Sequence, residues 1–236
     1  MKRHILIIAS NPAKSTTTGW PVGFWLSEVT HPMKIFKEAG YVSTLASPKG
    51  GKIEVDAMSD PNDESKRSEW DMISKQYLED PEFTKLLENT PSVRDQSIDD
   101  YDAVVVAGGM GPLFTFEGDE DLISFFTAFY KTGKVTCALC HGVAILRYAV
   151  LSDGIPLVKG KKVTGFTNGE EDESDQFAGQ KVMPWRIEDE LNKLGAEFYK
   201  KGNWEPFAIS DGNLVTGQQN MSGEVTAKKI VELLEK

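Results

Sequence analysis

Lys134-Val135-Thr136-Cys137-Ala138-Leu139-Cys140-His141-Gly142-Val143-Ala144-Ile145-Leu146 changes character at Cys140. Before that point Val, Thr and small residues give the composition of a short buried strand, and after it apolar residues follow at helical density. Cys140 therefore falls on the turn itself. A side chain mounted at such an elbow projects into the crevice at the carboxyl ends of the strands. Unpaired amides at the start of a helix favour a thiolate beside them, and Gly142 relieves crowding just after the turn. Cys137 alternates with Val135 and Leu139 inside the strand, which predicts a buried, structural thiol.

Working outward, the same strand-then-helix order recurs. Residues 4–10 read as a first strand, followed by a Ser/Thr/Gly-rich loop and a helix with Val29, Met33 and Phe36 on one face. Gly40 ends that helix, and Tyr41–Ala46 is a second strand. Ala103–Ala107 is continuously apolar, as a central parallel strand covered on both faces must be, and breaks into Gly108-Gly109. A helix begins near Asp119, turns Leu122, Phe126 and Phe129 inward and leads into the cysteine strand. Beyond it come a short strand over Val163–Phe166, a helix with Pro184 in its first turn, a hairpin signal at Asp211-Gly212 and a final amphipathic helix. This alternation predicts an α/β fold: a doubly wound, mostly parallel sheet with helices on both faces.

Between Glu54 and Asp100 there are 14 acidic and 5 basic residues with only weak helical patterns, so we read an inserted surface cap over about 52–100. Trp70 and Tyr77 lie seven apart, on one helical face, and are expected to dock it. The 236 residues, 40% of them apolar, suit one domain spanning 1–236. A net charge of −10 excludes nucleic acid and anionic membrane as natural partners. No apolar run approaches a membrane span, and the amino-terminal apolar run is too short for a signal peptide, which places the protein in the cytoplasm. Three histidines without zinc-type spacing predict no metal site.

Four features converge at the carboxyl edge of such a sheet: Glu28, Gly108-Gly109, Cys140-His141 and the acidic run Glu170–Asp175. The glycine turn lets backbone amides approach a ligand, so Gly109 and His141 are candidates for an oxyanion pocket. Glu28 stands near the start of the first helix; partial burial beside a thiolate would raise its pKa and suit it to acid–base work. Spacing alone, however, favours an ordinary exposed helix glutamate. His141 needs a carboxylate to fix its tautomer, and spacing does not choose between Glu170 and Glu171. As a Cys-x-x-Cys pair, Cys137 and Cys140 have the wrong order of exposure for dithiol exchange.

Glu28-Val29-Thr30-His31-Pro32, Ala107-Gly108-Gly109-Met110-Gly111, Ala138-Leu139-Cys140-His141-Gly142, Lys162–Thr167 and Leu214–Asn220 together resemble the PfpI/Parkinsonism-associated deglycase superfamily. The likeness spans nearly the whole chain and is strongest to the heat-shock-protein-31-like, glutathione-independent glyoxalase branch. It implies a flavodoxin-type, class I glutamine amidotransferase-like fold with a small cap. It further implies Cys140 as nucleophile, Glu28 as proton shuttle, His141 beside it and Glu171 as the acid. The implied reaction converts the 2-oxoaldehyde methylglyoxal to lactate through a cysteine hemithioacetal, without cofactor, in a homodimer. Met110, Val143 and Asn220-Met221-Ser222-Gly223 depart from the usual pattern. Two other readings stand beside the lyase: a stress-related holdase chaperone or protein deglycase, and a cysteine amidase or peptidase.

Overall fold

The computed structural model describes residues 2–236. Six strands form one sheet in the order Val42–Ala46, His4–Ile8, Ala103–Val106, Val135–Leu139, Leu214–Gly217, Ala208–Asp211. Five run parallel; the last is an antiparallel edge strand, paired through the Asp211-Gly212 turn. The crossovers require helices, and these fall on both faces. The helices Ser27–Glu38 and Gly223–Leu234 cover one side, burying Val29, Phe36, Ala227 and Ile230 against Ile5, Ile7, Val105 and Cys137. Glu120–Lys131 covers the other, placing Leu122, Phe126 and Phe129 with Leu6, Ile8, Val104 and Ala138. Successive side chains on a strand face opposite ways, so a central strand between two helical layers must be apolar at every position. Ala103–Val106 and Val135–Leu139 are buried throughout.

Register decides where the chemistry can gather. Ile8 pairs with Val106, Val106 with Ala138, and Leu139 with Gly217, so the carboxyl ends of the central strands are level. The turns following Val106 and Leu139 consequently meet at one edge.

Three sequence expectations need correction. The strand expected over Val163–Phe166 is only Lys162–Val163, and it pairs with Glu197–Phe198 in a separate two-stranded sheet. Pro184 precedes its helix, Ile187–Lys193, instead of opening it. Trp70 does not dock the excursion: it lies outside the helix Met72–Leu78 and is 53% exposed. Tyr77 does pack against the core, beside the buried Phe83 and Leu87, and polar pairs add to that anchoring. His31 Nε2 lies 2.9 Å from Asp71 Oδ1 and Thr30 Oγ1 lies 2.8 Å from Ser74 Oγ, all four buried. Tyr77 and Phe83 meet edge-on, with ring centres 5.1 Å apart. These bonds tie the excursion to the helix that carries Glu28. Among the described residues no helix is long and apolar enough to cross a membrane.

Candidate active site

Cys140 follows the last residue of its strand and takes φ +55°, a left-handed conformation that costs a non-glycine residue conformational free energy. The chain can make this turn because Gly142 follows: a Cβ there would stand 2.5 Å from the carbonyl oxygen of Val106. The next segment is a 3₁₀ turn, Cys140–Ala144, followed by one short α-turn, Ile145–Tyr148. No long helix therefore begins at the sulfur. Cys140 is 3% exposed, yet it lines a cavity of ≈ 440 Å³ that also reaches Gly109, His141 and Glu171.

Glu28 is fully buried, not the exposed helix glutamate that spacing favoured. Its Oε2 accepts a 2.7 Å bond from the Gly108 amide, and its Oε1 finds no nitrogen or oxygen partner. The Cys140 thiol is the group beside it. Burial pushes the Glu28 carboxyl up to about 8, the thiol and the Gly108 amide oppose that rise, and the nearby Asp56 charge adds to it. At neutral pH Glu28 is thus a protonated acid. A Cβ on Gly108 would fall 2.9 Å from Glu28 Oε2 and 2.7 Å from the His141 nitrogen, so glycine is what allows this approach.

The thiolate expected at the elbow is not the resting form. Burial first, and then the Glu28 carboxylate when ionised, push the Cys140 thiol well above its ordinary range. The amides of His141 and Gly109 act against this from beside the sulfur, but they do not outweigh it. Those are the two amides that the sequence nominated for an oxyanion pocket.

His141 Nδ1 lies 3.9 Å from Cys140 Sγ, and its Nε2 donates to Glu171 Oε1 at 2.9 Å. That bond sets the Nε2–H tautomer and leaves the Nδ1 lone pair toward the thiol. Glu170 and Glu171 differ sharply although both are buried in the first turn of the helix Asn168–Ala178. Glu170 closes a capping box with Thr167 and accepts from the Trp204 amide and Gln218 Nε2. Only Glu171 reaches the imidazole. The acidic run Glu170–Asp175 lies within this capped helix, whose first turn faces the site.

Asp56 was hidden among the acids of the excursion and is 1% exposed. Its Oδ1 accepts from the Gly23 amide at 2.7 Å and its Oδ2 from the Met110 amide at 2.6 Å. The Gly109–Met110 turn is therefore clamped to the excursion. Gly109 holds φ +106°, where a Cβ would stand 2.4 Å from the Trp25 nitrogen. Burial raises the Asp56 carboxyl, with the two amides opposing. No pattern in a single sequence separates this aspartate from its solvated neighbours. Among the described residues no cluster of three His, Cys, Asp or Glu side chains could hold a metal ion.

A level-edged parallel sheet that carries a left-handed cysteine elbow against a buried carboxylic acid defines a flavodoxin-like α/β protein with its site at the strand ends. The DJ-1/PfpI family model matches residues 22–233, and the chain belongs to that family. It is 31% identical to Glyoxalase 3 of Candida albicans over 242 residues, covering 100% of this chain and 99% of that protein. Identity to the glutathione-independent glyoxalase HSP31 of Saccharomyces cerevisiae is 30%, with 99% and 98% covered. Among solved structures, glyoxalase III from Candida albicans superposes with a TM-score of 0.80 at 28% identity, covering 98% and 96% of the two chains.

Proposed function

We propose that this protein is a glutathione-independent glyoxalase that converts methylglyoxal and water to lactate, with Cys140 as nucleophile. The observation that carries the reading is the buried Glu28 carboxyl set against the Cys140 thiol, with His141 Nδ1 3.9 Å from the sulfur and its Nε2 bonded to Glu171. The resemblance to glyoxalases over the whole chain supports it.

The groups divide the work as follows from their protonation. Sulfur attacks the aldehyde carbon while its proton passes to His141 Nδ1, and Glu28 gives its own proton to the aldehyde oxygen, yielding a hemithioacetal. The amides of Gly109 and His141 stabilise charge developing on that oxygen. Glu28, now a carboxylate, takes the hydrogen from the former aldehyde carbon as the imidazolium protonates the ketone oxygen, giving an enediol. Glu28 returns the proton to the adjacent carbon while His141 removes the hydroxyl proton, leaving a thioester. Water then attacks the thioester, Glu28 accepts its proton, and the imidazolium reprotonates the departing sulfur. Every proton is restored, one carbon is oxidised as its neighbour is reduced, and no outside oxidant is needed.

Lactate appearance from methylglyoxal without glutathione tests the proposal. Cys140→Ser and Glu28→Gln should each lower it by about 10²-fold or more while leaving the circular-dichroism spectrum unchanged; full turnover in Cys140→Ser sinks the nucleophile. Quaternary structure belongs to the same proposal: the homodimer that the resemblance implies should give twice the chain mass, 26.1 kDa, by light scattering.

A further inference from the structure

The cavity over Cys140 is larger and more apolar than a three-carbon aldehyde requires. At ≈ 440 Å³ it falls within the range of about 300–1,000 Å³ that encloses drug-sized ligands. Trp25, Met58, Met110, Phe166 and Trp204 line it, and the charged side chains on its wall are Arg67 and Glu171. Glu171 is already committed to His141. Arg67 lies against the Phe177 ring at 4.6 Å, on the outer side of the site.

One wall is held in place at a cost. Trp204 adopts φ +63°, a conformation that bulky residues avoid and that persists only where surrounding contacts over-determine it. Here two carboxylates of one helix do so. Glu170 Oε1 accepts from the Trp204 main-chain nitrogen at 2.9 Å, and Glu173 accepts from the indole Nε1. The indole then meets Phe166 edge-on, with ring centres 5.8 Å apart, and Phe166 lies 4.2 Å from the His141 imidazole. Imidazole, phenyl and indole form a continuous aromatic wall leading away from the sulfur. The helix Asn168–Ala178 therefore positions the chemistry through Glu171 and this wall through its neighbours.

We propose that the site selects 2-oxoaldehydes bearing a bulky apolar or aromatic substituent, and that Trp204 is the residue that reads that substituent. The inference rests on the aldehyde chemistry proposed above. With the aldehyde carbon at Cys140, the substituent on the ketone carbon extends along Phe166 and Trp204. The balance is unchanged: R–CO–CHO and water give R–CH(OH)–COOH.

The test measures kcat/KM for methylglyoxal, a straight-chain six-carbon alkyl 2-oxoaldehyde and phenylglyoxal, with the 2-hydroxy acid quantified by chromatography. Full-length wild type, Trp204→Ala and Trp204→Phe are compared, which cancels differences in intrinsic aldehyde reactivity. Wild type should favour both bulky aldehydes by about tenfold, the scale of apolar discrimination in a fitted pocket. Trp204→Ala should lower that preference about tenfold, mainly through KM of the bulky substrates, and Trp204→Phe should restore most of it. A wild-type preference for methylglyoxal, readable even if the alanine variant misfolds, overturns the inference and leaves the glyoxalase reading standing. So does an unchanged preference in a folded Trp204→Ala. No hydroxy acid from any aldehyde overturns both.

Discussion

Cys137 and Cys140 are three residues apart on one piece of chain, and both are almost completely buried, at 0% and 3% exposure. Burial pushes both thiols upward. By accessibility and acidity alone they are the same residue. Their surroundings differ: Cys137 sits in a regular strand among Val105, Leu139 and Val215, whereas Cys140 takes a left-handed turn, borders a cavity and has Glu28 and His141 beside it. The lesson is that a buried thiol becomes a candidate nucleophile through the acid and base around it. A low resting pKa is not needed when a general base removes the proton during attack.

The largest effect should come from the elbow. Cys140→Ser is expected to lower kcat/KM for methylglyoxal by at least about 10³-fold, and mass mapping after iodoacetamide should find Cys140 alkylated in the native protein and Cys137 only in denaturant. Labelling in the reverse order would break the comparison. Glu28→Gln comes next, with kcat down about 10²–10⁴-fold, the scale of a lost general acid–base. Its pH behaviour is as informative. Activity that needs protonated Glu28 should fall as pH rises through about 8.

Stability should follow the same group. A carboxyl raised from 4.5 to about 8 keeps a proton in the fold that the unfolded chain releases. Its favourable contribution is therefore complete below pH 4.5 and is lost as pH climbs to about 8, by up to about 5 kcal/mol for that shift. Chemical denaturation across pH 5–9 should show this slope in wild type and a flatter profile in Glu28→Gln; parallel profiles would contradict a protonated Glu28.

Asp56→Asn is expected to act through position. Its amide offers one acceptor to two backbone N–H donors, so the Gly23 or Met110 amide loses its partner and the turn bearing Gly109 shifts. A fall in kcat of about tenfold with KM little changed would fit a displaced oxyanion donor. Removing the charge should also move the alkaline limb to lower pH, because Asp56 helps to raise Glu28; an unmoved limb would leave Asp56 a merely structural clamp. The smallest effect belongs to the strand. Cys137→Ala should leave turnover within about twofold and cost about 1 kcal/mol in stability, that of a small cavity, read as a lowered Tm.

Much of the fold could be read directly because parallel strands buried on both faces are continuous apolar runs, as at Ala103–Ala107. The elbow was visible for the same reason: a change of period marks it. Short polar elements were harder. Lys162–Val163 pairs outside the main sheet, and nothing in its own residues announces that. Of the two anchors suggested by spacing, Tyr77 packs against the core but Trp70 does not, and part of the anchoring is done by His31 with Asp71 and Thr30 with Ser74, pairs separated by about forty positions.

Sequence by itself determined the alternation of strands and helices, the placement of Cys140 at a turn and the glycines that let backbone come close, since these depend on local periodicity and sterics. The resemblance pointed to Glu28 and Glu171, but only the tertiary structure gave the physical ground, Glu171 and not Glu170 meeting His141 and Glu28 sealed against the thiol, and it alone brought Asp56 and Trp204 to the site. A carboxylate's role depends on which donors surround it and how much water it loses, and those are set by residues far away along the chain.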